Sequence, residues 1–165
     1  MLPKAQAVFT YFEADHDRLD TLFANFQHYK NTDYPTAKQY FRDFKFGLQR
    51  HIIWEEEILF PIFEKKTGIT NGPTAVMRIE HQMIGKRLEE LHEKVRQQNP
   101  KSDTEEQALM NVLLMHNQKE EAVLYPAIDY TITDEDQENI FRAMKELPVE
   151  RYENCCQHHG HHSGK

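Results

Sequence analysis

The chain predicts an all-α fold, an up-down-up-down antiparallel four-helix bundle with a short C-terminal fifth helix, on three observations. Apolar residues recur at three- and four-residue spacing rather than in alternation, the pattern of helices with one buried face. Four such segments are joined by short connections, so neighbouring helices must run antiparallel. Each segment also carries one histidine within its apolar stripe, at His16, His51, His81 and His116, and in an antiparallel bundle the four meet near mid-height.

The first helix is predicted over about residues 4–29, with Phe9, Phe12, His16, Leu19, Phe23 and Phe26 on one stripe. The second, over about residues 34–65, presents Phe44, Leu48, His51, Glu55, Ile58 and Ile62. Asn71, Gly72 and Pro73 break the chain, and a third helix to about residue 98 carries Met77, His81, Ile84, Leu88 and Leu91. After Asn99 and Pro100 a fourth, over about residues 104–130, carries Leu109, Val112, His116, Glu120, Val123 and Ala127. The fifth spans about residues 135–145, with Ile140, Phe141 and Met144 as its buried side. Beyond Pro148 the apolar content falls, which divides the chain into a domain over residues 1–148 and a flexible Cys/His-rich tail over residues 149–165. Within the tail, the segment with Cys155, Cys156 and His158 to His162 is expected to be dispensable for a metal site at the histidine level, so that truncation after Arg151 leaves such a site unchanged.

The histidines lie on a duplicated grid, because His81 follows His16 and His116 follows His51 by the same 65 residues. The segment His51 to Pro61, with Glu55, Glu56 and Phe60, reads onto His116 to Pro126, with Glu120, Glu121 and Tyr125. One histidine on an apolar face is more often a hydrogen-bonded core residue than a ligand. Burying four imidazoles and two carboxylates at one level, however, costs on the order of several kcal/mol per ion unless something pairs them. Two divalent or trivalent metal ions do so, which makes His16, His51, Glu55, His81, His116 and Glu120 the candidate ligands. Glu55 and Glu120 each follow a histidine by four residues, share its face, and can reach one ion or bridge two. Glu56 and Glu121 are rotated off that face, and with Glu57 they read as solvated surface or as hydrogen-bonding support. His28 and His92 fall off the grid and read as surface or bundle-end residues. The matched Pro61 and Pro126 suggest a geometric role or simple helix termination, and Trp54 and the seven tyrosines suggest core and rim packing. Nitrogen and oxygen donors of this kind accept iron, manganese or zinc.

Twenty Lys and Arg against 27 Asp and Glu give a net charge of −7, with no basic stretch to suit nucleic acid or an anionic membrane. No leader-like N-terminus or membrane-length apolar run is evident, so the expectation is a soluble, cytoplasmic protein. The only cysteines are adjacent, which implies no disulfide framework.

Taken together, Asp15-His16 with Asp20, His51 with Glu55 and Phe60-Pro61, Glu80-His81, and His116 with Glu120 and Tyr125-Pro126 resemble the motifs of the hemerythrin-like family, the histidine-histidine-glutamate cation-binding domain, over about residues 5–130. The resemblance implies a non-haem di-iron centre: two iron ions, oxo- or hydroxo-bridged, with Glu55 and Glu120 as bridging carboxylates. It also implies chemistry with dioxygen, nitric oxide or reactive oxygen, and a redox partner that the sequence does not name. Oxygen-carrying members place a second histidine one turn after the third-helix ligand, where this chain has Gly85. The ions are then less than fully coordinated, a pattern similar to the di-iron domain of bacterial iron–sulfur cluster repair proteins, although the cysteine-bearing N-terminal domain of many of those is lacking. The functions implied are sensing, storage or delivery of dioxygen or nitric oxide at an open metal position; alternatively cluster repair or stress protection by iron donation or nitric oxide reduction; or a di-iron oxidase or peroxidase. A ferritin-like bundle would need Glu-x-x-His twice. Glu13 and His16 provide it once, and the repeat puts Arg78 where the second glutamate belongs.

Overall fold

The computed structural model describes residues 7–153, and among them it contains only helices and their connections. In order these are α1 (Ala7–Tyr29), α2 (Tyr34–Trp54), a π-helical turn π1 (Glu55–Leu59), α3 (Phe60–Thr67), α4 (Pro73–Arg96), α5 (Asp103–Lys119), a second π-helical turn π2 (Glu120–Leu124), α6 (Tyr125–Thr131), α7 (Asp134–Glu146) and α8 (Val149–Glu153). Backbone stays helical through both π turns, so α2-π1-α3 and α5-π2-α6 are continuous rods. With α1 and α4 they make the antiparallel four-helix bundle, and α7 is the short fifth helix. None of the described helices is long and apolar enough to cross a membrane.

Local chemistry sets the ends. Asp33 caps α2, accepting from the Thr36 backbone N–H at 3.3 Å, and Pro35 sits in the first turn, where its missing N–H costs nothing. Gly68 closes α3 at φ 72°, the left-handed position at which a side chain would be strained. Thr133 and Asp136 form a reciprocal capping box at the start of α7. The carboxylate of Asp129 on α6 accepts from the free N–H groups of Val8 and Phe9, which ties the start of α1 to the fourth rod. At the opposite end, buried Lys30 donates to Asp103 and to Glu106, the latter at 2.5 Å, and so joins α1 to α5.

The core is in two parts, one on each side of the histidine level. One apolar cluster contains Phe12 of α1, Trp54, Leu59 and Phe60 of the second rod, Met77 of α4, and Leu124 and Ile128 of the fourth rod. The other contains Leu19 and Phe23 of α1, Phe44 and Leu48 of α2, Ile84 and Leu88 of α4, and Leu109 and Leu113 of α5. Every rod crosses from one cluster to the other at its histidine. The 65-residue repeat extends to this packing, pairing Phe12 with Met77, Leu19 with Ile84, Phe44 with Leu109 and Leu48 with Leu113.

The structure corrects the predicted boundary at residue 148. Val149–Glu153 forms α8, and its Tyr152 is buried, accepting a 2.7 Å hydrogen bond from the Trp54 indole N–H. The bundle therefore extends to Glu153 at least. Residues 4–6 of the expected first helix and the segment from Cys155 to His162 lie outside the described residues.

Candidate metal centre

Glu55 and Glu120 each open a π turn, in which the N–H of Phe60 returns to the Glu55 carbonyl and that of Tyr125 to the Glu120 carbonyl. The cause is written in the next residue. A proline at position 61 or 126 would press its ring against the carbonyl four residues back in an α-helix, and opening the ladder to five-residue spacing relieves that contact. The prolines therefore end neither helix, since α3 runs on to Thr67 and α6 to Thr131.

The six candidate ligands come together at the middle of the bundle, all at most 4 % exposed. Their donor atoms divide into two sets. His81 Nε2 lies 3.0 Å from Glu55 Oε1, and His116 Nε2 lies 3.3 Å from Glu120 Oε2. His16 Nε2 lies 3.1 Å from Glu120 Oε1, and His51 Nε2 lies 3.5 Å from Glu55 Oε2. Each carboxylate thus turns one oxygen to each histidine pair, the arrangement needed to bridge two ions. Glu120 Oε2 is buried without a hydrogen-bond partner, and a cation beside His116 would satisfy it.

All four imidazoles are held from behind. His16 Nδ1 is 2.7 Å from Glu121, His51 Nδ1 2.9 Å from Asp15, His81 Nδ1 2.7 Å from Glu56 and His116 Nδ1 2.8 Å from Glu80. A carboxylate that accepts from Nδ1–H fixes the ring and leaves the Nε2 lone pair aimed inward, the usual support of a metal-bound histidine. Glu56 and Glu121 therefore act as hydrogen-bonding support, while Glu57 is on the surface and pairs with Arg151. Sequence reasoning gave Asp15 and Glu80 no role. The signal was present, because each immediately precedes a histidine and the two are 65 residues apart.

Tyr125 requires a second correction, for it is not simply packing. Its ring is fully buried, and its hydroxyl lies 2.6 Å from Glu55 Oε2, 2.8 Å from Glu120 Oε1, 3.0 Å from His51 Nε2 and 3.3 Å from His16 Nε2. In an α-helix, residues five apart are turned about 140° from one another; the π turn brings Tyr125 back over Glu120. His28 is exposed, and His92 is partly buried against Phe41 near the far end of the bundle.

A small cavity adjoins the histidines on the side opposite Tyr125. His16, His51 and His116 line it together with Leu19, Phe44, Leu48, Ile52, Ile84 and Leu113 and the polar Asp20 and Asn117, and its volume is about 10 Å³. That is room for one water-sized molecule.

The hemerythrin HHE cation binding domain matches residues 7–128 of the chain. The chain belongs to that family. Comparison with curated proteins and with solved structures gave no match. The match covers all six candidate ligands, Tyr125 and the four supporting carboxylates.

In this hemerythrin domain the ion-free centre is balanced by protons. Burial opposes charge on His51 and His81, but the Glu55 carboxylate, aided by Asp15 and Glu56 respectively, outweighs it and raises them to about 10 and about 9. His116 is raised in the same way, by Glu120 against its burial. Burial likewise opposes charge on Glu55, yet the neighbouring imidazoles hold its carboxyl well below the usual range. A histidine whose folded value lies above its unfolded value of about 6.5 stabilises fully below that pH, and the contribution is lost as pH climbs through the folded value. The ion-free protein is therefore expected to lose stability between about pH 6.5 and about pH 10. The metal-loaded protein should do the reverse and weaken on acidification, because protons compete for Nε2. Thermal melts of chelator-treated and loaded protein near pH 6 and near pH 9 test this; a shift in the same direction for both forms contradicts it.

Proposed function

We propose that the chain is a non-haem di-iron protein that binds dioxygen or nitric oxide at an open position of its metal centre, for sensing, storage or delivery. The observation that carries this reading is the small cavity against three of the candidate ligands, walled mainly by apolar side chains with Asp20 and Asn117 at its edge. It has the size of a diatomic molecule and not of an organic substrate. Two larger hollows, of about 610 Å³ between Lys38 and Glu153 and about 430 Å³ between Tyr11 and Lys145, are lined by none of the six candidate ligands. That favours a small ligand over an oxidase or peroxidase acting on an organic molecule.

His16, His51, Glu55, Glu120, His81 and His116 would hold the ions, and the donor set suits iron while also accepting manganese or zinc. Iron bound there supplies a ferrous/ferric couple and open coordination positions. The chain does the rest. Asp15, Glu56, Glu80 and Glu121 hold the imidazoles in orientation, while Leu19, Phe44, Leu48, Ile84 and Leu113 form the apolar part of the cavity wall. A second reading, iron donation in cluster repair or stress protection, is favoured by Gly85, beside which a Cβ would meet nothing within 4 Å. No further side chain from that turn restrains an ion at His81.

Natively expressed protein is expected to carry two iron ions per chain, about 3.5 to 4 Å apart as in other two-metal sites. Metal analysis with X-ray absorption measures both quantities, and a single ion, or ions bound elsewhere, would refute the centre. Stopped-flow mixing of the reduced protein with oxygen separates the functions. A reversible change in the visible spectrum supports ligand carriage, whereas rapid irreversible oxidation favours donation or redox chemistry.

A further inference from the structure

The duplicated grid is broken at one chemically telling place. Tyr125 stands where the first half has Phe60. Both rings lie beside a histidine: Phe60 stacks on His81 with centroids 5.9 Å apart and planes 9° apart, and Tyr125 lies 5.7 Å from His16 at 33°. A benzene ring therefore satisfies the packing of this position, and the hydroxyl has to be explained separately.

That hydroxyl is buried, and the four polar atoms it meets all belong to candidate ligands. They are Glu55 Oε2 at 2.6 Å, Glu120 Oε1 at 2.8 Å, His51 Nε2 at 3.0 Å and His16 Nε2 at 3.3 Å. Those of His16, His51 and Glu120 lie within 4.8 Å of one another and make one of the two ion positions, and Glu55 Oε2 stands beside them, 3.5 Å from His51 Nε2. Two donors adjacent on an octahedral ion, each about 2.1 Å from it, stand about 3 Å apart. The phenolic oxygen thus keeps, toward all three donors of that position at once, the spacing of a further donor on the same ion. Hydrogen bonding alone accounts for it poorly, since one phenolic proton serves two buried carboxylate oxygens.

We propose that Tyr125 is a seventh protein ligand, its phenolate oxygen binding the ion held by His16 and His51. The inference rests on the two-ion reading above. As the metal–oxygen bond forms, the phenolic O–H bond breaks and its proton passes to solvent, with no change in oxidation state. The ion at His81 and His116 has Phe60 on its side and gains no such ligand, so the two ions are chemically distinct. The π turn is what makes the ligation geometrically available, and the proline at position 126 is what favours the turn.

The test uses the full chain loaded with iron and oxidised to the ferric state. Phenolate bound to ferric iron gives a visible charge-transfer band, and excitation within it enhances the ring vibrations of the bound phenolate in the resonance Raman spectrum. Wild-type protein is expected to show both. Tyr125→Phe is expected to keep two irons per chain, as the natural Phe60 shows that a phenyl ring fits such a position, and to lose both signals. Two irons per chain without phenolate vibrations in the wild type would overturn the ligation and leave the metal centre standing, with the hydroxyl only hydrogen-bonded to the carboxylates. Vibrations that persist in Tyr125→Phe would assign them to another tyrosine and overturn it equally. Failure of the wild type to retain iron would overturn the centre itself, and the metal count distinguishes that result from the other two.

Discussion

Replacing Glu55 or Glu120 by alanine is expected to leave fewer than two ions per chain and to cost about 3 kcal/mol or more of stability. Both carboxylates are 0 % exposed, and each faces a histidine of both ion positions. Removing one leaves buried positive charge uncompensated, whether that charge is metal or imidazolium. The same change at Glu56 or Glu121 removes only the support behind one imidazole. Those variants are expected to bind two ions at saturation with affinity lowered about 10- to 100-fold. Metal titration and thermal melts on the four variants measure the contrast. Equal loss of iron from all of them would mean that the four-residue register does not select the bridging residues.

The same contrast shows how much of the site was legible in the sequence. His51 with Glu55 and His116 with Glu120 fall within ordinary α-helical spacing, so one-dimensional periodicity placed them on a common face. Asp15 and Glu80 could be assigned only once neighbouring helices were in place, because each supports a histidine of the next helix. Tyr125 was hidden for a different reason. Counting at 100° per residue puts it off the Glu120 face, and only a π turn, whose single local sign is the proline that follows, restores it. The four long helices were readable from their stripes. By contrast α8 was not, because Val149-Glu-Arg-Tyr-Glu153 is short and polar, and its helix is secured by docking one ring against Trp54.

Cutting the chain after Arg151 is expected to cost about 3 to 5 kcal/mol, as other deletions of a large buried aromatic do. The cut removes Tyr152, which is 4 % exposed, packs edge-on against Trp54 and Phe46, and accepts the Trp54 indole hydrogen bond. The indole N–H would then be buried without its partner. A cut after Glu153 keeps that ring and is expected to leave stability, two irons per chain and the visible spectrum unchanged. Denaturant unfolding and iron analysis of the two truncations decide the matter. Equal stability of both would show that α8 contributes nothing, and loss of iron from the longer one would make the Cys/His-rich end part of the metal chemistry.

Because each rod passes from one apolar cluster to the other at its histidine, the polar layer works as a waist between two dry ends. Neither end is a folding unit of its own, for each is built from fragments of all four rods, and the helical backbone together with the charges at the waist carries mechanical continuity between them. Ions held there by His16, His51, Glu55, His81, His116 and Glu120 would pin all four rods together at mid-height. Removal of such ions would therefore be felt first at the centre, since the termini of the rods are clasped independently by Asp129 at one end and Lys30 at the other. Occupancy of the centre would then set how firmly the two ends of the bundle are held to one another.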